Sequence, residues 1–182
     1  MDRVEIDENG EMYCPYGVTD TPRVAPGCPN AGADIGYLPL NGWTRPTASS
    51  QAPGRDPMYS CDGSASSFWQ PAEDDSDPWI CYDLVRPYTV GAVRLFWREV
   101  GLDYLGGARP GPIRYVIEGR NKDEDTWTLL LDRSASEEDF NIDYRVFDEK
   151  TVQYVRLKIV GAPVGIHPGV IDCTLFGNLK IL

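Results

Sequence analysis

Short stretches of β-branched and aromatic residues recur along this 182-residue chain after residue 44. Gly, Pro, Asn and Asp clusters separate them, as turns separate the strands of a sandwich. Apolar and polar residues alternate within the stretches, so that Val93, Leu95 and Trp97 share one face, as Val155, Leu157 and Ile159 also do. No segment has the pattern of a long amphipathic helix. The predicted fold class is therefore all-β, with two antiparallel sheets packed face to face.

The segment before residue 45 has a different composition. It is rich in Pro and Gly and shows no sustained periodicity, which is typical of irregular chain. Its one regular piece is VEIDENGEMYC (4–14), where Asn9 and Gly10 stand between alternating residues as a hairpin turn would. We expect an irregular extension over residues 1–44 and the sandwich over residues 45–182.

Charge narrows the range of partners. The net charge is -11, and Lys and Arg form no cluster that could attract a phosphate backbone or an anionic membrane. No apolar run approaches the roughly 20 residues of a membrane-spanning helix. Nucleic acid and membrane are thus disfavoured as partners, and uncharged polar ligands such as sugars are favoured.

Five cysteines without C-x-x-C spacing argue against a zinc site or a complete disulfide framework. We expect mostly free thiols. One bridge, for which Cys14 and Cys28 would close the shortest loop, stays open as an alternative.

The sequence does not assemble a catalytic constellation. The acidic run from Glu73 to Asp77 lies in a loop punctuated by prolines, where carboxylates are expected to be solvated and ordinary. His167 is the only histidine, and no nucleophile elbow or phosphate-binding loop accompanies it. We therefore predict a chain that is not an enzyme.

Aromatic and polar loop residues make a stronger case for sugar binding. Aromatic faces stack on the C–H faces of sugar rings, and polar side chains bind the hydroxyls. Trp79, Trp97 and Trp127 fall in strand patterns and are predicted to pack in the core. Trp69 is open to two interpretations: buried it anchors the fold, and exposed it offers a sugar platform. The candidate carbohydrate-binding residues are Trp69, Arg98, Asp103, Tyr104, Arg109 and His167.

Seven motifs follow one another over about 130 residues in an order that identifies a family. They are TASS (47–50), DGSASSFW (62–69), PWICYDL (78–84), TVGAVRLFW (89–97), RYVIEGRNKDEDTW (114–127), VQYVRL (152–157) and VIDCTLFG (170–177). From about Thr47 the chain resembles the discoidin or coagulation factor V/VIII type C domain, with family 32 carbohydrate-binding modules as the nearest relatives. The resemblance implies a galactose-binding-domain-like jelly-roll sandwich that binds glycans.

The same resemblance implies a structural calcium ion. Carried over, its ligands are Asp62, Ser64 through its carbonyl, Ser67 and Asp172. Ser64 stands where many relatives have a second Asp, and Asp172 where Glu is usual. Fewer charges and a shorter reach should weaken the site.

Two charged residues lie inside strand patterns, where an isolated charge is costly. Asp83 alternates with Tyr82 and Leu84, and Arg156 occupies a similar place between apolar residues. We expect Asp83 and Arg156 to pair with one another.

A second resemblance concerns the extension. DENGEMYCPYGVTDTP (7–22) is similar to the last strand and exit segment of family 43 glycoside hydrolases. It implies a module excised from an enzyme such as a β-xylosidase or α-arabinofuranosidase, in contact with an upstream catalytic domain and targeting xylan, arabinan or galactose-containing glycans. The alternative is a structural module that braces that domain without binding glycan. A lipid- or protein-binding role would need exposed apolar loop tips, which we do not expect.

Overall fold

This computed structural model of the protein describes residues 5–10, 12–13, 37–42, 44–122 and 126–178. The chain divides into two compact units, Met1–Gly36 and Tyr37–Leu182. None of the described residues forms a helix long and apolar enough to cross a membrane.

The first unit contains a hairpin. Strand β1 (Glu5–Ile6) pairs antiparallel with β2 (Met12–Tyr13). Gly10 turns the chain with φ of 83° and donates its N–H to the Asp7 carbonyl at 3.0 Å. The prediction of a turn at Asn9–Gly10 is confirmed. Cys14 and Cys28 lie outside the described residues, so a bridge between them stays a prediction.

The second unit is built almost entirely of antiparallel strands. These are β3 (Leu38–Pro39), β4 (Thr47–Ala48), β5 (Trp79–Val100), β6 (Arg114–Arg120), β7 (Thr128–Asp132), β8 (Ile142–Gly161) and β9 (His167–Asn178), with one 3-10 turn at Pro57–Ser60. Their order across the sheet is β3-β9-β5-β8-β6-β7, and β4 pairs with β5.

Strands β5 and β8 are long because each runs through both layers of a sandwich. The register of β5 on β8 shifts between Asp83 and Tyr88 and again between Val90 and Ala92, where the strands bend. Residues before the bend in β5 pair with the second half of β8, and residues after it pair with β9 as well. The two layers meet where the rings of Trp97 and Tyr115 lie 5.6 Å apart. The predicted all-β sandwich is confirmed.

The core follows the alternation of the sequence. Inward positions of β5, β6, β8 and β9 are buried, while their neighbours are partly or fully exposed. The members with the least exposed surface include Ile80, Tyr82, Val93, Leu95, Trp97, Tyr115, Ile117, Val155, Leu157 and Leu175. Burying each large apolar side chain contributes about 1.5–3 kcal/mol. This face of the sheets therefore supplies most of the stability that holds the loops in place.

Of the three tryptophans predicted to be in the core, only Trp97 is buried. Trp79 and Trp127 are half-buried. The guanidinium of Arg156 lies 4.3 Å and that of Arg120 5.0 Å from the Trp127 ring, on the outer face of the sheet. The prediction was wrong for these two because an aromatic residue satisfies strand propensity equally well on the outer face.

The predicted pair of Asp83 with Arg156 was also wrong. Arg156 binds Glu118 instead, through Nη2 at 2.7 Å and Nε at 2.9 Å, because β6 places Glu118 directly opposite it. Asp83 Oδ1 accepts hydrogen bonds from Gln153 Nε2 at 3.0 Å and from the Val85 amide at 2.8 Å. It holds the bend of β5, where Val85 has φ of 71°.

The sandwich begins earlier than residue 45. Strand β3 pairs with β9, and Leu40 and Asn41 are buried. Asn41 joins the same strand: its Nδ2 donates to the Cys173 carbonyl at 2.7 Å, and its Oδ1 accepts from the Leu175 amide at 2.9 Å. Residues 37–42 and Thr44 thus belong to the sandwich, although the sequence of this segment is as rich in Pro and Gly as the sequence before it.

Candidate functional site

A concave surface lies where the loop after Trp69 meets the start of β9. It consists of two adjacent concavities of about 230 Å³ and 310 Å³. Both are lined by Gln70, Pro71, Ala72, Glu73 and His167. We call this surface the twin concavity. One half lies below and the other at the lower end of the roughly 300–1,000 Å³ of typical ligand pockets, so each suits a small ligand unit.

The remaining lining of the twin concavity is mostly apolar. On one side lie Pro78, Ile159 and Pro168, and on the other Pro53 and Val100. Polar side chains of the shared lining thus stand beside apolar surface. That combination suits a sugar, which presents an apolar ring face and polar hydroxyls.

Asp75 fixes the loop that carries this lining. Its Oδ2 accepts hydrogen bonds from the hydroxyls of Ser49 and Ser50, each at 2.5 Å, and its Oδ1 accepts from the Asp77 amide at 3.0 Å. Ser50 Oγ in turn accepts from the Ala72 amide at 2.9 Å. Partial burial opposes ionisation of Asp75, but the hydrogen bonds outweigh it and lower the pKa of the carboxyl. The acidic run therefore contains a structural anchor.

Trp69 is fully buried and cannot stack on a sugar. Its Nε1 donates to the Ser50 carbonyl at 3.0 Å, and its backbone exchanges two hydrogen bonds with Val170. The assignment of Trp69 as a carbohydrate-binding residue was wrong, and its alternative role as an anchor of the fold is confirmed. The residue after it, Gln70, donates from Nε2 to the His167 carbonyl at 3.4 Å. Trp69 thus positions the lining of the twin concavity from beneath.

Only His167 among the six predicted sugar-binding residues lines the twin concavity, where its side chain is exposed. It pairs with Val100 at the end of β5, which leads into the loop carrying Asp103, Tyr104 and Arg109. These three and Arg98 do not line either half.

Exposed positions at the end of β5 and in the loop after it are occupied by Arg98, Asp103, Tyr104 and Arg109. The Arg98 guanidinium lies 5.9 Å from the ring of Phe68, which also carries Arg55 at 3.7 Å. Asp103 Oδ1 accepts from the Leu105 amide at 3.0 Å, so this carboxylate shapes its own turn. Tyr104 is 67% exposed and is available to a ligand.

Two apolar side chains extend from neighbouring loops at this end. Leu105 is 99% and Val164 96% exposed. The loops touch closely, since a Cβ on Gly101 would lie 2.5 Å from the Gly165 carbonyl oxygen. The expectation that the chain has no exposed apolar loop tips was wrong, because a single Leu or Val inside a Gly-rich turn gives no sequence pattern.

Sequence reasoning missed most of the twin concavity. The sequence interpretation places Glu73 in a solvated loop and does not include Gln70 or Val100 among the candidates. The available signal was positional: Gln70 stands between Trp69 and Pro71, and Glu73 lies two residues after that proline. What the sequence does not reveal is that the start of β9 lies against this loop.

The residues predicted to hold calcium lie in two groups. Asp62, Ser64 and Ser67 belong to one loop, where Asp62 Oδ1 accepts from the Ser64 amide at 2.8 Å and Oδ2 from the Ser67 hydroxyl at 2.7 Å. Both carboxylate oxygens therefore close the loop by hydrogen bonds. Asp62 acts as a turn cap, the alternative to a metal ligand.

Asp172 lies on β9 and forms a salt bridge with Arg94. Its Oδ2 accepts from Arg94 Nη2 at 3.0 Å and from the Thr174 hydroxyl at 2.7 Å. No cluster of three or more His, Cys, Asp or Glu residues that could hold a metal occurs in the described ranges. Of the two predicted carboxylate ligands, Asp62 and Asp172, the second already binds the Arg94 guanidinium. This arrangement does not suit Ca²⁺, which prefers six to eight oxygen ligands. As arranged, these side chains do not fit a calcium centre. Calcium binding stays a prediction, which titration of the protein with Ca²⁺ would test.

Comparison with known proteins agrees with this architecture. A family model described as NedA-like, galactose-binding domain, of the F5/F8 type C kind, matches residues 59–157, more than half of the chain. The chain belongs to this family. The matched range of this F5/F8 type C domain includes the Asp62 loop, Trp69 and the Asp75 loop. No curated protein sequence matches it significantly.

Solved structures resemble the F5/F8 type C domain along most of its length. Chitosan-binding module 1 of a chitosanase/glucanase from Paenibacillus sp. IK-5 has a TM-score of 0.64 and 24% identity, covering 77% of this chain and 99% of the module. The family 32 carbohydrate-binding module of NanJ from Clostridium perfringens, solved with galactose, has a TM-score of 0.61 and 13% identity, covering 77% and 98%. At these identities the likeness establishes the fold.

Proposed function

We propose that this F5/F8 type C domain is a non-catalytic carbohydrate-binding module whose sugar site is the twin concavity. The observation that carries the proposal is the shared lining, where Gln70, Glu73 and His167 stand beside apolar surface from β5, β8 and the proline-rich loops. Relatives of this fold include modules solved with chitotriose and with galactose.

The carboxylates of the site support binding rather than hydrolysis. A glycosidase needs two carboxyl groups facing one another across the substrate, one of them with a raised pKa. Glu73 and Asp75 lie in the same loop, and hydrogen bonds lower the pKa of the Asp75 carboxyl. Asp75 is therefore unsuited to act as the acid.

The proposed role within a larger protein is targeting. Attached to a glycoside hydrolase, as the resemblance of residues 7–22 to family 43 exit segments suggests, the module would raise the local concentration of the polysaccharide. The proposed targets are xylan, arabinan or galactose-containing glycans. Single-site binding should be weak, because a sugar ring offers little apolar area.

Affinity electrophoresis through gels containing xylan, arabinan or galactan tests the proposal. We expect at least one polysaccharide to retard the protein and His167→Ala to abolish the retardation. Tyr104→Ala is the matched comparison, since Tyr104 is exposed at the same end but does not line the twin concavity.

The possible results distinguish whether the module binds glycans from where on the module the sugar site lies. Loss of retardation in Tyr104→Ala but not in His167→Ala would move the site to the loop after β5. Absence of binding to every glycan at millimolar ligand would overturn the proposed function.

One observation favours the bracing role as a second candidate. Ile142, Tyr144 and Val146 alternate along the outer face of β8 and are 57%, 51% and 63% exposed. Such an apolar stripe on a sheet face is typical of contact with another protein surface. If the module braces a neighbouring domain, replacing Tyr144 and Val146 with serine should weaken that association and leave glycan binding unchanged.

A further inference from the structure

The ionisable side chains that line the twin concavity are not balanced in charge. Glu73 lines both halves and Asp75 lines one, whereas no Lys or Arg occurs in either lining. His167 is the only other ionisable residue there. The described residues offer Glu73 no hydrogen bond or ion pair, so its carboxylate is available to a ligand.

Cations that lie close in sequence to the lining residues already have partners of their own. Lys158 Nζ lies 2.7 Å from Asp77 Oδ1, and the guanidinium groups of Arg55 and Arg98 lie against the Phe68 ring. The whole chain carries a net charge of -11, which adds to the negative potential at the site. An anionic ligand would meet repulsion here, and a cationic one attraction.

We propose that the twin concavity prefers glycans that carry protonated amines, such as oligomers of glucosamine, over neutral glycans of the same backbone and over uronate polymers. The inference rests on the proposed function, because it names the ligand class of the same site. Glu73 supplies the selecting charge at the shared lining. Asp75 adds a second negative charge while it anchors the loop.

Three β-1,4-linked tetrasaccharides that differ only at the C2 substituent test the preference. They are the tetramers of glucosamine, N-acetylglucosamine and glucose, titrated calorimetrically into the whole chain at about pH 6, where amines are protonated and carboxylates ionised. We expect the glucosamine tetramer to bind about two- to fivefold more tightly, the effect of an exposed ion pair. The advantage should shrink between about 0.01 M and 0.15 M ionic strength, where the Debye length falls from roughly 30 Å to 8 Å.

Glu73→Gln should remove this advantage while binding of the neutral tetramers persists. Asp74→Asn is the matched control, since it removes one charge from the next residue, which does not line either half. It should keep the preference. An equal loss in both variants would show a general attraction to the acidic chain and overturn the role of Glu73.

The outcomes also separate this inference from the function on which it rests. Equal affinity for all three tetramers, lost in His167→Ala, would overturn the amine preference and support a sugar site. Failure of all glycans to bind would overturn both.

Discussion

Two acidic loops flank Trp69, and they use their carboxylates differently. In the loop from Cys61 to Ser67, both oxygens of Asp62 accept hydrogen bonds from Ser64 and Ser67 of the same loop. In the loop from Gln70 to Pro78, Asp75 reaches out of its loop to Ser49 and Ser50, 25 residues or more away in sequence. The first loop closes on itself, and the second is tied to another part of the fold.

This difference determines which loop can present a ligand site. A loop anchored to the sandwich by one carboxylate holds its other side chains in place, and Glu73, beside the twin concavity, has no hydrogen bond or ion pair with the residues that the structure describes. In the first loop, both oxygens of the one carboxylate already accept hydrogen bonds from an amide and a hydroxyl of that loop, so it offers a ligand no free anionic group. The number of acidic residues is a poor guide to function compared with what each one binds.

The largest effect should come from Trp69, which both loops share as a support. Trp69→Ala should lower the free energy of unfolding by about 3–5 kcal/mol, measured by urea denaturation, because it leaves a cavity under both loops. Trp79→Ala is the control, since this half-buried ring closes the second loop and should cost less. Equal losses would mean that Trp69 is not the common support.

A smaller effect should separate the two loops from each other. Asp75→Asn should destabilise the protein by about 1–2 kcal/mol, because it weakens hydrogen bonds to a carboxylate that is only partly buried. Asp74→Asn, at an exposed residue whose side chain forms no hydrogen bond within the described part of the chain, should change stability by less than about 0.5 kcal/mol. A loss in Asp75→Asn no greater than that control would show that Asp75 does not anchor the loop.

The effect of Asp75→Asn on stability should depend on pH, in a direction that follows from the pKa of Asp75. Hydrogen bonds hold the pKa of Asp75 below its ordinary value despite the opposing effect of partial burial. Its contribution is therefore fully present above the unfolded-state pKa of about 3.9 and is lost as the pH falls through the lower folded pKa. The stability difference between wild type and Asp75→Asn should be constant near neutral pH and shrink below about pH 4. A difference that grows on acidification would contradict the shift.

The sequence predicted the parts of this fold that depend on alternation. Val93, Leu95 and Trp97 face the core as expected, and the hairpin at Asn9–Gly10 is present, because period and turn chemistry are local properties. Trp127 shows the limit, since a strand pattern does not say which face is inward when both carry aromatic residues. The same limit produced the wrong partner for Arg156, which depended on the position of β6.

The site was harder to predict because it depends on contacts between distant segments. His167 was found as a lone polar residue in a Pro- and Gly-rich loop, but the Gln70 side chain that meets it is 97 residues away. Glu73 and Asp75 are similar acidic residues of one loop in the sequence. In the structure, Asp75 accepts hydrogen bonds from the hydroxyls of Ser49 and Ser50, and Glu73 does not. The sequence predicted His167 as a candidate but not the side chains that lie beside it.

The smallest change in stability is expected in the first loop, where the sequence predicts calcium ligands. Asp62→Asn should lower the free energy of unfolding by only about 0.5–1 kcal/mol, since the Asp62 carboxylate that accepts both hydrogen bonds is exposed. Millimolar CaCl₂ or EDTA should shift the melting temperature of the wild type by less than about 2 °C, because Ca²⁺ would have to displace Arg94 from Asp172.

Arg94→Met should increase the response to Ca²⁺ by freeing that carboxylate, whereas Arg94→Lys, which keeps the charge, should not. A rise of many degrees in the wild type would show that the ion, rather than Arg94, is the natural partner of Asp172. The first loop would then resemble the second in being tied to the rest of the fold through a carboxylate.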